Sequence, residues 1–315
     1  MDHLLEYERT RRVFCAMLAL VLCIVIATAG VANAEENGAS VYPAGVETVM
    51  PGLMPPPHAT EFFEYTAMIS ANQVDTANGN AVPTEFRVRV FANAVKVVHN
   101  WGVPFLGGNL QSMVGIPFVS QELHVLPGKF TKFAVGNVAV SPLGVMYAKG
   151  HLHFYYEADI FLPGTGRSSK DVLNIGQNNY AVAPVGAFTY LAGRNEISSK
   201  LQYIVNLKDA ATNYQSGNEF VCEYDAMHDF TKKLALGVNG FLYQQTTDDQ
   251  LDNAIYNDGN RGRDFAIGPE VRFNLIPHGG FAVKYLRDTM VENRAPTNAF
   301  WFQLAVPISI GHKEE

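Results

Sequence analysis

The chain has 315 residues, a formal net charge of −7, 48% apolar and 17% charged residues, and three cysteines. This mild acidity argues against nucleic acid as a partner. Cys15 and Cys23 fall in an N-terminal export signal, so the mature chain keeps Cys222 alone and has no internal disulfide.

That signal comes first in chain order. Arg9, Arg11 and Arg12 precede an uncharged run, Val13 to Gly30. Then comes "VANA", whose Ala32 and Ala34 have the small-x-small arrangement that signal peptidase reads. Residues 1–34 are read as a signal peptide cleaved after Ala34, in preference to an uncleaved anchor helix. No second apolar run approaches the length of a membrane helix, so any membrane crossing must use strands.

Residues 35–59 form a Pro-rich N-terminal segment. Pro43, Pro51, Pro55, Pro56 and Pro57 keep it from being an interior strand or a helix. It is nonetheless too apolar for a free tail. The expectation is a hatch folded into a barrel lumen, with Tyr42, Val46, Met50, Leu53 and Met54 as its apolar lining. An ordered lid under the periplasmic mouth is the alternative.

From 60 to 311 the chain reads as twelve strands, followed by a short tail at 312–315. The segments are 60–74, 84–98, 109–126, 131–142, 145–163, 178–193, 195–208, 218–231, 233–246, 263–276, 280–291 and 299–311. The alternation is clearest in "HLHFYYEADIFL" (151–162), where Leu152, Phe154, Tyr156, Ala158, Ile160 and Leu162 oppose His151, His153, Tyr155, Glu157 and Asp159. Phe161 is the one apolar outlier on the wet face. Period-two alternation is the mark of a strand. It repeats in 86–94, 200–208, 264–275 and 302–310.

Periodicity does not say which face is wet. A soluble sandwich would use strands of about 5–6 residues, whereas these are long enough for the ~9–11 tilted residues that cross an outer membrane. Connections after odd strands tend to be long (75–83, 164–177, 209–217, 247–262 and 292–298). Those around 192–195, 231–233 and 276–280 are short. Such alternation matches the outer loops and periplasmic turns of a membrane barrel. The expectation is an antiparallel transmembrane β-barrel of twelve strands, apolar face to lipid. Phe62, Phe63, Trp101, Tyr190, Phe300 and Trp301 are placed in its interfacial girdles.

Four stretches add a resemblance: "GASVYPAGVETVMPGLMPPP" (38–57), "TNYQSGNEF" (212–220), "QQTTDDQ" (244–250) and "NRGRDFAIGPEV" (260–271). Over about residues 38–308 the chain resembles the family named for the meta-pathway of phenol degradation. Those proteins are taken to be outer-membrane barrels, remotely similar to channels for long-chain fatty acids and aromatic hydrocarbons. The resemblance implies passive uptake of small hydrophobic or aromatic compounds. Two departures stand out. His58 in "PPPHAT" replaces a Gly often found there, and the chain continues past Ile310 into "GHKEE" instead of ending on an aromatic residue.

The inward phase supplies the candidate permeation path: Arg87, Arg89, His151, His153, Glu157, Asp159, Lys200, Lys208, Glu270, Arg272 and Lys284. Charges of both signs predict partial pairing across the lumen. His151 and His153 share a face, yet nothing nearby in sequence completes a metal ligand set. No Gly-x-Ser-x-Gly elbow appears, and the acidic stretch 246–264 lacks the Glu-terminated calcium pattern. No enzyme, cofactor or metal is expected. The partners implied are outer-membrane lipid and a small hydrophobic or aromatic solute. The leading function is an outer-membrane channel, and the alternative is a non-conducting structural or surface-binding barrel.

Overall fold

A computed structural model describes residues 40–309, apart from 83, 126–127, 169–170, 210 and 277–278. The presequence, its cleavage site and the tail 312–315 lie outside the described residues. Twelve strands form the wall. They are β1 (Thr60–Ala71), β2 (Phe86–Phe105), β3 (Gly108–Val125), β4 in two pieces (Gly128–Val135 and Val138–Lys149), β5 (Leu152–Leu162) and β6 (Ala181–Ala192). They continue as β7 (Asn195–Asn206), β8 (Glu219–Thr231), β9 (Leu234–Gln245), β10 (Arg263–Ile276), β11 (Gly279–Glu292) and β12 (Asn298–Ser309).

Neighbouring strands pair antiparallel and β1 pairs with β12 (Tyr65↔Gln303), so the barrel closes, and only the first piece of β4, which pairs with β3 alone, keeps a free edge. Closure satisfies the backbone groups that lipid could not. Tight turns follow even strands at 106–107, 150–151, 193–194 and 232–233. At the first, Leu106 and Gly107 both have positive φ, the twist-matching two-residue turn. After most odd strands the connections are long, and Tyr214–Gln215, Gln250–Leu251 and Ala254–Ile255 form a small sheet within them. The exception is β3, which is separated from β4 only by 126–127.

The outward faces carry the large apolar side chains. Ile197, Leu201, Phe300 and Phe302 are exposed on the outside of β7 and β12, whereas their neighbours Glu196, Lys200, Trp301 and Gln303 are buried inside. Such an inverted barrel belongs in lipid.

Several sequence expectations need correction. The expected strand 145–163 is cut by the turn at Gly150–His151, and residues 138–149 belong to β4. The first piece of β4 extends the β3 hairpin beyond β5. At the break, Asn137 Nδ2 donates to the carbonyls of Leu162 (3.0 Å) and Gln177 (2.9 Å). A bulge at Pro142 interrupts pairing with both neighbours, consistent with the N–H that proline lacks.

In β2 the phase is reversed. Lys96 is buried inside, and the uninterrupted register with β1 therefore turns Val90, Ala92 and Ala94 inward and Arg87 and Arg89 outward. Phe63 and Trp301 leave the expected aromatic girdle for the same reason: they stand in the inward phase, and Trp301 is only 3% exposed.

Candidate functional site: the lumen and the segment threaded through it

Residues 40–59 run inside the wall from the loop end of the barrel to its turn end. Ser40 hydrogen-bonds Glu219, which starts β8 after a long loop. Gly52 N–H donates to Thr189 Oγ1 (3.1 Å) near the turn end of β6. Asn100 Nδ2 donates to the Pro55 carbonyl (2.9 Å), and β1 then begins. Two glycines make this close fit possible. Gly45 has φ +93°, and a Cβ at Gly52 would lie 2.3 Å from the Thr189 nitrogen. His58 adopts φ 62°, a conformation that glycine would take without strain.

At mid-lumen the segment is held by charge. Glu47 receives Lys200 Nζ at 2.5 Å and Lys96 Nζ at 2.6 Å. Burial alone would push its carboxyl up, but the two ammonium groups hold it at about 2. Lys284 Nζ donates to the Gly45 and Val46 carbonyls (2.8 and 2.9 Å) and to Thr48 Oγ1 (2.8 Å). Tyr42 donates its hydroxyl to Glu223 (2.6 Å), which also accepts from Gly45 N–H (2.6 Å). The Tyr42 ring meets Phe161 edge-on at 6.4 Å. Phe161, the apolar outlier on the wet face of β5, is therefore a wall contact for the segment.

Two cavities flank this plugged level. Toward the loops, one of about 220 Å³ lies among Tyr42, Phe241, Leu286 and Trp301, with Asp264, Asp288 and Arg294 on its polar side. Toward the turn end, one of about 320 Å³ is lined by Val49, Met50, Leu53 and Met54 of the segment, and by wall residues including Phe63, Glu196, Arg272 and Gln303.

The structure brings together only part of the expected path. Glu157, Asp159, Lys200, Glu270, Arg272 and Lys284 are buried in the lumen, and His153 lies on the same inward phase of β5. Gln111 Nε2 donates to Glu157 (3.0 Å), and Arg272 pairs with Glu196 (2.6 Å). His151 sits exposed in the β4–β5 turn, so the two histidines do not share a face. Lys208 lies beyond the end of β7 and hydrogen-bonds Asn253 in a loop. Arg87 and Arg89 are on the outside of β2, opposite Glu122 and His124 of β3. Of the segment residues, Tyr42 and Val46 are buried, and Met50, Leu53 and Met54 are partly buried.

The inner wall is more acidic than the sequence reading implies. Besides Glu157, Asp159 and Glu270, it buries Glu61, Glu196, Glu219, Glu223, Asp225, Asp264 and Asp288. Among the described wall strands these face only Lys96, Lys200, Arg272 and Lys284 as buried cations. Lys96 and most of these acids sit in strands whose alternation mixes small and polar residues on both faces. Extending the phase from the clear strands to their paired neighbours is the signal that would have found them.

Among solved structures, an outer membrane channel from Pseudomonas putida F1 superposes with a TM-score of 0.68 at 14% identity, covering 85% of this chain and 100% of that one. The translocator domain of the autotransporter NalP from Neisseria meningitidis gives 0.46 at 8% identity, covering 81% and 90%. The CymD monoaromatic hydrocarbon channel gives 0.39 at 9%, covering 90% and 99%. No curated protein matches the chain. The first of these likenesses establishes the fold as that of an outer-membrane β-barrel. Residues 71–304, most of the barrel wall, match the family described as "Putative MetA-pathway of phenol degradation", and the chain belongs to that family.

Proposed function

We propose that this chain is a passive outer-membrane channel for small hydrophobic or aromatic compounds, exported by a signal peptide cleaved after Ala34. One observation carries the reading. The lumen is filled at mid-height by a segment that is no part of the wall, and on either side lie cavities with apolar linings. A wall closed by its own side chains would serve structure alone; here the obstruction is a tether that can be displaced while the barrel's hydrogen bonds stay intact. The Met-rich face of residues 49–54 suits varied apolar solutes, and the family description supplies the link to aromatic compounds.

Deleting residues 40–56 and recording conductance in planar bilayers tests this. A larger or less selective pore than that of the parent protein is expected. Equal conductance would remove the segment from the path. The alternative, a non-conducting envelope barrel, draws on the paired charges around Glu47. It predicts no solute entry into liposomes above the protein-free rate, with or without the segment.

A further inference from the structure

The turn-end cavity has polar groups left over, and their placement selects a ligand. Arg272 Nη1 and Gln303 Oε1 are buried without a hydrogen-bond partner, as is Asp229 Oδ1, a further acceptor in the lining. Arg272 and Gln303 line the cavity, and they are only 6% and 5% exposed. Of this pair, Nη1 is a donor and Oε1 an acceptor. Register puts them on one level: Arg272 of β10 pairs with Ala282 of β11, and Ala282 pairs with Gln303 of β12. The small Ala282 leaves a ledge between the two polar groups. Apolar side chains of the segment (Val49, Leu53, Met54) and Phe63 face the same space.

We infer that this ledge binds an uncharged apolar solute through a single hydroxyl group and turns carboxylates away. The inference rests on the channel reading for how a solute arrives, but not for how it binds. A hydroxyl can accept from Arg272 Nη1 while donating to Gln303 Oε1, satisfying both orphan atoms. A carboxylate can only accept, so Gln303 Oε1 stays unpaired. It would also sit among Glu61, Glu196 and Asp229, which line the cavity. The one cation among the described lining residues is already spoken for: Arg272 Nη2 is 2.6 Å from Glu196. Higher in the lumen, Lys96 and Lys200 are held by Glu47, and Lys284 by three acceptors of the segment. An anion desolvated in this lumen therefore meets repulsion and no uncommitted positive charge among the described wall strands.

The test compares 4-methylphenol with 4-methylbenzoate, matched in shape, by saturation-transfer NMR on the full mature protein in lipid nanodiscs. Empty nanodiscs supply the background, at about pH 7, where the phenol is neutral and the benzoate ionised. The phenol should give the stronger signal by roughly tenfold, because a site built around a hydroxyl rejects a ligand that leaves its polar atoms unpaired. Ala282→Leu, which fills the ledge, should abolish that signal. Glu196→Gln, which releases Arg272 from its ion pair, should raise the benzoate signal. Equal signals for the two solutes, or a phenol signal indifferent to Ala282→Leu, would overturn the inference. Entry of radiolabelled 4-methylphenol into lipopolysaccharide-containing vesicles, with and without the same protein, keeps the two ideas apart. Binding without entry sinks the channel and leaves the ledge; entry without phenol binding sinks the ledge alone.

Discussion

The middle of the lumen and its turn end draw on the same residue types and use them in opposite ways. At mid-height the ammonium groups of Lys96, Lys200 and Lys284 and the carboxylates of Glu47 and Glu223 meet partners between 2.5 and 2.9 Å away. At the turn end, Arg272 and Gln303 keep one buried polar atom each without a partner. The first arrangement holds a segment in place, because withdrawing it would strand several charges. The wall at mid-height also has unpaired atoms, on Tyr155, Glu157 and Asp159, but there the segment fills the lumen, whereas at the turn end the unpaired atoms belong to residues that line an open cavity. In a low-dielectric interior, the difference between a latch and a binding site lies in which hydrogen bonds remain unmade.

The comparison can be broken most sharply at the latch. Replacing Lys96 and Lys200 together by Met leaves Glu47 buried without a cation, which should cost the docked segment roughly 3–5 kcal/mol. Limited proteolysis should then cut within 40–57 while the thermal unfolding of the barrel stays that of the parent protein. An uncut segment would show that the ion pairs do not hold it.

Acid should act in the same direction. The Glu47 carboxyl is held at about 2 instead of its ordinary 4.5. A depressed carboxyl contributes fully above about pH 4.5, and that contribution fades as the pH falls toward 2, a loss of roughly 3 kcal/mol. Conductance should rise over that window, and in Glu47→Gln the part of the rise due to this group should vanish. A wild-type profile unchanged by the substitution would place the latch elsewhere.

Tyr42→Phe removes one hydrogen bond to a charged acceptor and should weaken docking by about 2 kcal/mol. A graded increase in protease sensitivity would report it. Met54→Ala, at a cavity already open, should change barrel stability by less than about 1 kcal/mol. It should alter solute binding at the turn end, as read by the same NMR comparison. A large loss of stability there would mean that this end is packed like the middle.

How much of this was legible varied strand by strand. In β5, β10 and β12 bulky apolar residues alternate with charged or polar ones, and the inward phase of Glu157, Glu270, Arg272 and Gln303 follows directly. In β2 the same rule misleads, because Val90, Ala92 and Ala94 are apolar yet face inward, Ala92 and Ala94 against the core cluster that includes Val41, Tyr42 and Val46 of the segment. Arg87 and Arg89 took the opposite face at the loop end of the strand, where an outward charge need not meet lipid. Trp301 misled in the same way, since it meets Lys284 in the lumen and not the membrane, whereas Phe161 was read on the wet face and meets Tyr42 there. The turn at Gly150–His151 was hidden because residues 145–148 (Val-Met-Tyr-Ala) are apolar on both faces, so the change of inward phase across the turn, with Met146 paired to Tyr155 and Lys149 to Leu152, leaves no mark in the pattern.

Local sequence alone determined that the chain would be strands, that they would be long, and that connections would alternate in length. Each depends on period-two side-chain placement and on turn residues a few positions apart. Only the closed barrel decided which face of an ambiguous strand turns inward, because register with neighbouring strands propagates a single choice around the ring. Only the threaded segment decided that Lys96 and Lys200 are paired. Glu47 stands 49 residues from Lys96 and 153 from Lys200, and no short-range pattern encodes contacts made across an enclosed space.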